Sequence, residues 1–406
     1  MATVQGSLIP DLTSVDLMDP RTFVEHEPRD FWREARKAGP VYWHPAREGR
    51  EGFWVLTRHA DIQKAYRGVR QFLSGRGTVL DVVVRGDDPA GGKMMAVSDG
   101  ATHRRLRSVQ HSALTPKVLE PVVRDVNERA DRLVAEAVGA GEFDFAAGIA
   151  EHIPLATICD LLSIPEADRP KLLGWNKLVL SAEEAGTDHI EALAARNELV
   201  MYLADLVLER QENPGDDMVS MLATTPVDGR PLTVEEAALN CYSLILGGDE
   251  TSRMSAIVAV KALAEHPEQL ALLRDGADPE IAANEMFRWA TPAMHFARRA
   301  ADDVEFAGET IRKGEIISLW NTSANDDEDV FENPGTLDVT RHPNPHLALG
   351  FGPHYCVGAY LGTAEMSAVL SAVARHVGSI EVCAEPARVY SSFLYGYSSL
   401  RVRFHP

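Results

Sequence analysis

Cysteine is scarce. The 406 residues hold four, Cys159, Cys241, Cys356 and Cys383, with no C-x-x-C pair. That spacing argues against a zinc site, an iron–sulfur cluster or a disulfide framework, and suits a reducing cytoplasm. Positive charge is also short. Lys and Arg number 40 against 60 Asp and Glu, a formal net charge of −20, so the surface as a whole repels nucleic acid and anionic membrane. No run of about 18 apolar residues occurs, which leaves no membrane span. The first 20 residues carry Asp11, Asp16 and Asp19 and lack a positive-then-apolar signal pattern, so a cytoplasmic protein is expected. Repeats and low-complexity linkers are missing too. With 45% hydrophobic residues and evenly spread Pro and Gly punctuation, one large domain over 1–406 is expected, with β-rich parts near 41–58, 295–320 and 380–405.

What is present is organised around Leu349-Gly350-Phe351-Gly352-Pro353-His354-Tyr355-Cys356-Val357-Gly358, followed by a helix predicted over 359–377. A Gly-rich loop that presents a thiol at the mouth of a helix favours S⁻, through loop N–H groups and the helix dipole. Glycine lets the loop fold closely around a flat ligand.

Taken in order, 29–37 reads as a helix, 41–43 and 52–56 as a hairpin, and 59–66 as a helix. Residues 75–100 read either as a surface loop or as a cover over a pocket. Residues 99–113 form a basic helix in which His103 and Arg107 share one face and suit an anionic group. From 117 to 212 the pattern is helical, with breaks at Gly139–Gly141, Pro154, Pro165 and 186–188. Thr233 and Glu236 form a capping box for the longest helix, 234–266. Gly247-Gly248 and the polar run from Asp249 to Arg253 interrupt it, either as a loop or as a small-residue gap that admits a large ligand beside Glu250 and Thr251. Asp278-Pro279 starts a helix on which Glu285 and Arg288 can pair. Strands are expected at 295–298, 304–306, 315–319, 380–383, 389–393 and 400–404.

A lone loop cysteine admits three readings: a nucleophile, one ligand of a multi-cysteine site, or the axial thiolate of a haem. The last needs one cysteine, a flat slot and cationic clamps, for which His103, Arg107, Arg298 and His354 are candidates.

Together these motifs resemble the cytochrome P-450 family of soluble bacterial haem-thiolate monooxygenases, along nearly the whole chain. Residues 349–358 resemble the family's F-G-x-G-x-H-x-C-x-G signature. Gly247-Gly248-Asp249-Glu250-Thr251 is similar to its oxygen-activation motif. Glu285-Met286-Phe287-Arg288 with Arg341 resembles its E-x-x-R and meander arginine. His103 to Arg107 and Arg298 match its propionate clamps. Leu349 stands where a shielding Phe is usual, Tyr360 and Gly362 where Pro and Ala are common, and Asp326 where Arg is frequent.

The resemblance implies a mainly α fold, a triangular helix-rich domain with a smaller β-rich region, and haem b between the long central helix and the cysteine helix. It implies Cys356 as iron ligand, with Gly247, Gly248, Phe351, His354 and Gly358 beside the haem. Glu250 and Thr251 are then the proton-delivery pair, and Glu285, Arg288 and Arg341 are structural. Substrate contacts are expected from 76–98, 170–195, and from Val83, Val84, Leu244, Ala293, Met294, His295, Phe393 and Leu394. His295 is either a polar anchor or a histidine satisfied by nearby backbone. Expected partners are O₂, ferredoxin with its reductase docking near Arg104, Arg105 and Arg341, and a small-molecule or carrier-protein-bound substrate. The expected reaction is insertion of one oxygen atom into a C–H bond in bacterial secondary metabolism. Oxidative coupling or cyclisation, and a non-catalytic haem sensor, are the alternatives.

Overall fold

A capping box starts the longest helix. Glu236 N donates to Thr233 Oγ1 at 3.1 Å, and Thr233 N donates to Glu236 Oε2 at 2.9 Å. The helix then runs unbroken over Val234–Glu265. Gly247 and Gly248 therefore do not interrupt it, contrary to the expected break. Each glycine costs about 1 kcal/mol against alanine, which burial along 32 residues outweighs.

The computed structural model describes residues 12–25, 28–180, 189–226 and 229–406. The run Glu183-Glu184 with Asp188, and the middle of 170–195, lie outside them. The central helix divides two cores. Its C-terminal half packs with Pro116–Ala137, Pro279–Ala290 and Ala359–His376 through residues such as Ile257, Val260, Val126, Met286 and Val369. Its N-terminal half packs with Gly100–Ala113, His152–Leu161 and His189–Glu212 through Cys241, Ile245, Leu106, Ile158 and Leu203. Pro154, an expected break, sits in the first turn of His152–Leu161, where its missing N–H costs little. Among the described residues no helix is long and apolar enough to cross a membrane.

The two glycines have separate uses. A Cβ on Gly248 would stand 2.6 Å from Ile158 Cδ1, whereas one on Gly247 meets nothing within 4 Å. Gly248 thus admits the neighbouring helix, and Gly247 keeps an open face. Gly248→Ala is expected to cost about 1 kcal/mol net, overpacking set against better helix propensity. Ile158→Val, which removes the crowding methyl, is expected to erase that increment in a calorimetric double-mutant cycle.

The larger sheet has the order Val41–His44, Phe53–Leu56, Ile316–Trp320, His295–Ala300, Phe72–Leu73. Phe53–Leu56 runs parallel to Ile316–Leu319, and His295 pairs antiparallel with Trp320. A second sheet places Arg401–His405 between Glu142–Asp144 and Ser379–Val382. Two expectations change. Residues 389–393 are no strand: Ser391 Oγ accepts the N–H groups of Phe393 and Leu394 and turns the chain, so Ala387–Arg388 pairs with Tyr397–Ser399 instead. Residues 75–100 contain a helix, Leu80–Arg85, and a 3₁₀ turn at Met95–Val97.

Candidate active site

The cysteine loop is held by its own backbone. Gly350 N donates to Leu347 O, Tyr355 N to Gly352 O, and Cys356 N to Leu349 O at 2.9 Å. Gly350 and Gly352 adopt φ of +70° and +69°, which side chains disfavour, and a Cβ on Gly352 would meet Tyr66 O at 3.1 Å. Gly358 caps the helix Ala359–His376. Phe351 is covered by the Arg67 guanidinium 4.8 Å over its ring.

Cys356 is an exposed residue although protein surrounds its thiol densely. Burial raises the thiol above its usual value, while the Gly358 N–H and Arg107 act in the other direction. The loop alone therefore does not hold a free thiolate, as its glycines and helix suggest. A cation at the sulfur would. Among the described residues no histidine bonds to this sulfur, and the His354 ring lies 4.0 Å from that of His103, with Nε2 3.3 Å from Ser74 Oγ. A base-activated nucleophile is not built here.

Near it lie two arginines and a histidine that form no ion pair among the described residues. Arg298 is 4% exposed, gives one bond to Ala297 O, and lies 5.7 Å over the Tyr66 ring. Arg107 is half-buried on the basic helix. Among the described residues neither makes an ion pair. His103 is buried, and among the described residues its Nε2 has no partner. Burial holds Arg298, Arg107 and His103 below their usual values; for His354 burial, then Arg298, His103 and Arg107, push it down to about 2. Asp99, the carboxylate that Arg298 and His103 sense, is committed to the Ser74 and Gly75 N–H groups at 2.9 and 2.7 Å. Buried charge of one sign with donors to spare is costly unless an anionic ligand joins it. One exposed cysteine, a glycine-faced helix and such a cluster fit haem b.

On the central helix, Thr251 Oγ1 donates to Gly247 O at 2.8 Å, and Glu250 is bonded by Arg253 through both oxygens. Asp249, absent from the expected site, is buried beside them. So is Glu365 on the cysteine helix, raised to about 7 by burial against bonds from Ser252 and Thr157. Glu365 follows no sequence pattern that separates it from an ordinary surface acid, and Asp249 stands in the Gly247–Thr251 motif with no role of its own expected.

Glu285 and Arg288 form a two-bond pair, 2.8 Å each, and Arg341 Nε, Asn344 Nδ2 and Asp338 N complete the shell of Glu285. Asp326 sits 3.6 and 3.8 Å from Arg29 and Arg36, so the acid in the meander is met by N-terminal arginines. The basic docking patch shrinks. Arg105 is bound to Glu236 at 2.5 Å and Arg341 to Glu285, leaving Arg104 exposed.

The expected substrate residues divide. Val83 and Met294 are 0% exposed and pack with Leu80 and Trp320. Val84, Ala293 and Leu394 are almost as deep. Val83 and Met294 are thus core residues, while Leu244 and Phe393 keep accessible surface. His295 Nε2 meets Ser392 O at 3.2 Å, its ring lies 4.4 Å from Trp320, and burial lowers it to about 4. One ring nitrogen is thus met by backbone, while Nδ1 is buried and has no partner among the described residues.

Three comparisons fit this geometry. The family model for Cytochrome P450 matches residues 280–377. Cytochrome P450 NovI of Streptomyces niveus is 39% identical over 97% of this chain and 97% of its own. Steroid C26-monooxygenase of Mycobacterium tuberculosis is 33% identical over 96% and 92%. The crystal structure of P450BioI in complex with acyl carrier protein bearing hexadec-9Z-enoic acid superposes with a TM-score of 0.84 at 26% identity, covering 95% of this chain and 100% of that one.

Proposed function

This chain belongs to the cytochrome P450 family, and on that premise we propose that it hydroxylates an amino acid or peptide held on a carrier protein, in bacterial secondary metabolism. It is a P450 monooxygenase and its cofactor is haem b. The observation that carries the site assignment is the anion-free cluster of Arg298, Arg107 and His103 beside the accessible Cys356. Support for a carrier-bound substrate comes from the similarity to P450BioI, whose structure is a complex with an acyl carrier protein bearing hexadec-9Z-enoic acid.

Cys356 would supply the sulfur ligand, and Arg298, Arg107 and His103 would hold the haem carboxylates. When bound, the haem supplies oxygen activation and the oxidising power for an unreactive C–H bond. The chain's own part is to hold substrate and move protons. Thr251 can pass a proton toward the open face of Gly247 once its hydroxyl leaves the Gly247 carbonyl. Glu250, steadied by Arg253, orders the water that refills Thr251. Electrons come from a redox partner, which we take to be a ferredoxin with its reductase, on a single domain spanning 1–406.

Titration of the ferric protein with aminoacyl carrier protein is expected to shift the Soret band, with free amino acid inert, and the product should gain one oxygen. A band that moves only with free small molecules overturns the carrier reading. A product lacking two hydrogens instead would favour oxidative coupling or cyclisation.

A further inference from the structure

Asp249 and Asn176 face one another in the core with a donor missing. Asp249, on the central helix, is 4% exposed, and Asn176, in the helix Arg169–Leu180, is 0% exposed. Asn176 Nδ2 donates to Asp249 Oδ2 at 2.5 Å. Asp249 Oδ1 and Asn176 Oδ1 are both buried, and among the described residues neither has a partner. A carboxylate is acceptor-only, so as an anion it leaves two buried acceptors unmatched. One proton satisfies both.

We propose that Asp249 is a positioning residue carried as the neutral acid, whose Oδ1–H donates to Asn176 Oδ1 and closes a two-bond acid–amide pair docking Arg169–Leu180 onto the turn that bears Glu250 and Thr251. The surroundings favour that form. Burial is the main cause that raises Asp249 to about 7, with Glu250 and Glu151 adding to it and Arg253 and the Asn176 N–H opposing. Arg253 is already bonded to Glu250, and Glu151 to Lys177. Cys159 on His152–Leu161 and Glu365 on the cysteine helix also face this acid. No free cation among these groups is left to neutralise a charged Asp249.

Only the catalytic consequence rests on the proton-relay reading of Glu250 and Thr251: loss of this proton would loosen the helix over the relay turn. The sign follows from linkage. Undocked and wet, Asp249 titrates near its ordinary 3.8; docked, near about 7. Docking is strongest below the first value, weakens as pH rises between the two, and is level above the second.

Hydrogen–deuterium exchange of the amides in Arg169–Leu180, measured on the ferric holoenzyme and corrected for intrinsic rates, tests this. Wild-type protection should fall with pH up to about neutrality and then level. Asp249→Asn supplies the same donor without titrating, so protection should match or exceed wild type and lose that pH dependence. Asn176→Ala should lose both protection and pH dependence, and the double variant should add nothing further. The infrared band of a protonated carboxylic acid should be present at neutral pH and weaker in Asp249→Asn. An Asp249→Asn protein as loose as Asn176→Ala, one with the wild-type pH profile, or one with an unchanged acid band overturns the proposal. None of these readouts uses turnover, so they stand or fall apart from the monooxygenase reading.

Discussion

Replacement of Arg288 by alanine is expected to cost about 3–5 kcal/mol of folding free energy and to leave little haem-loaded protein. Arg288 and Glu285 have side-chain exposures of 1% and 0%. Their two parallel bonds are only part of what is lost. Arg288 also donates to the carbonyls of Asn325, Pro334 and Thr336, pinning the meander to the helix Pro279–Ala290. Removal of one partner leaves a buried carboxylate short of charge and the carbonyls of Asn325 and Pro334 short of donors, while Thr336 O keeps Arg341. Arg341 cannot compensate, because its remaining bonds run to Glu332, Asn333 and Thr336. Arg288→Lys should recover little, since one ammonium cannot make the fork of bonds a guanidinium makes. Arg341→Ala, at a side chain 11% exposed, should cost less. Denaturant unfolding with haem content measured in parallel checks the order. An Arg288→Ala protein as stable as wild type would remove the pair from the list of what holds the cysteine loop in place.

Cys356→Ser is expected to abolish turnover while sparing the fold. The loop is held by backbone bonds and two left-handed glycines, and the sulfur adds only the N–H of Gly358, which a serine oxygen also accepts. A serine therefore fits without rearrangement, and far-UV circular dichroism should match wild type. What disappears is the thiolate, the strong electron donor on which oxygen activation depends. Its alcohol replacement does not ionise comparably. The reduced, CO-bound spectrum should lose its thiolate-type Soret band, and product formation should drop to background. Turnover retained by the serine variant would detach Cys356 from the chemistry.

Much of this site was readable from the chain because its parts are local. The capping box at Thr233 and Glu236, the Asp278-Pro279 start, the pair at 285 and 288, and the His103–Arg107 face each lie within one helical turn or two. The rest depends on what arrives from far away. Gly248 reads as a weak point until Ile158 occupies the space beside it. Val83 and Val84 read as cover-loop residues until the sheet beneath them buries both. Val389 to Phe393 has strand composition, yet the Ser391 hydroxyl captures the N–H groups a ladder would need. His295 resembles a ligand anchor in sequence and is matched by Ser392, 97 positions on. The Asp249–Asn176 pair spans 73 positions, and no short-range pattern signals it.

The parallel seam between Phe53–Leu56 and Ile316–Leu319 also governs how the chain is made. Its first strand leaves the ribosome more than 250 residues before its partner exists, and Arg36 likewise waits for Ser323, 287 positions later. Closing so long a loop is slow, and an apolar strand held open meanwhile invites aggregation. During synthesis the hairpin Val41–Leu56 must therefore persist as an unfinished edge while the helical cores form. Yield in a heterologous host should then respond to translation speed and chaperone supply more than to codon changes confined to the cysteine loop.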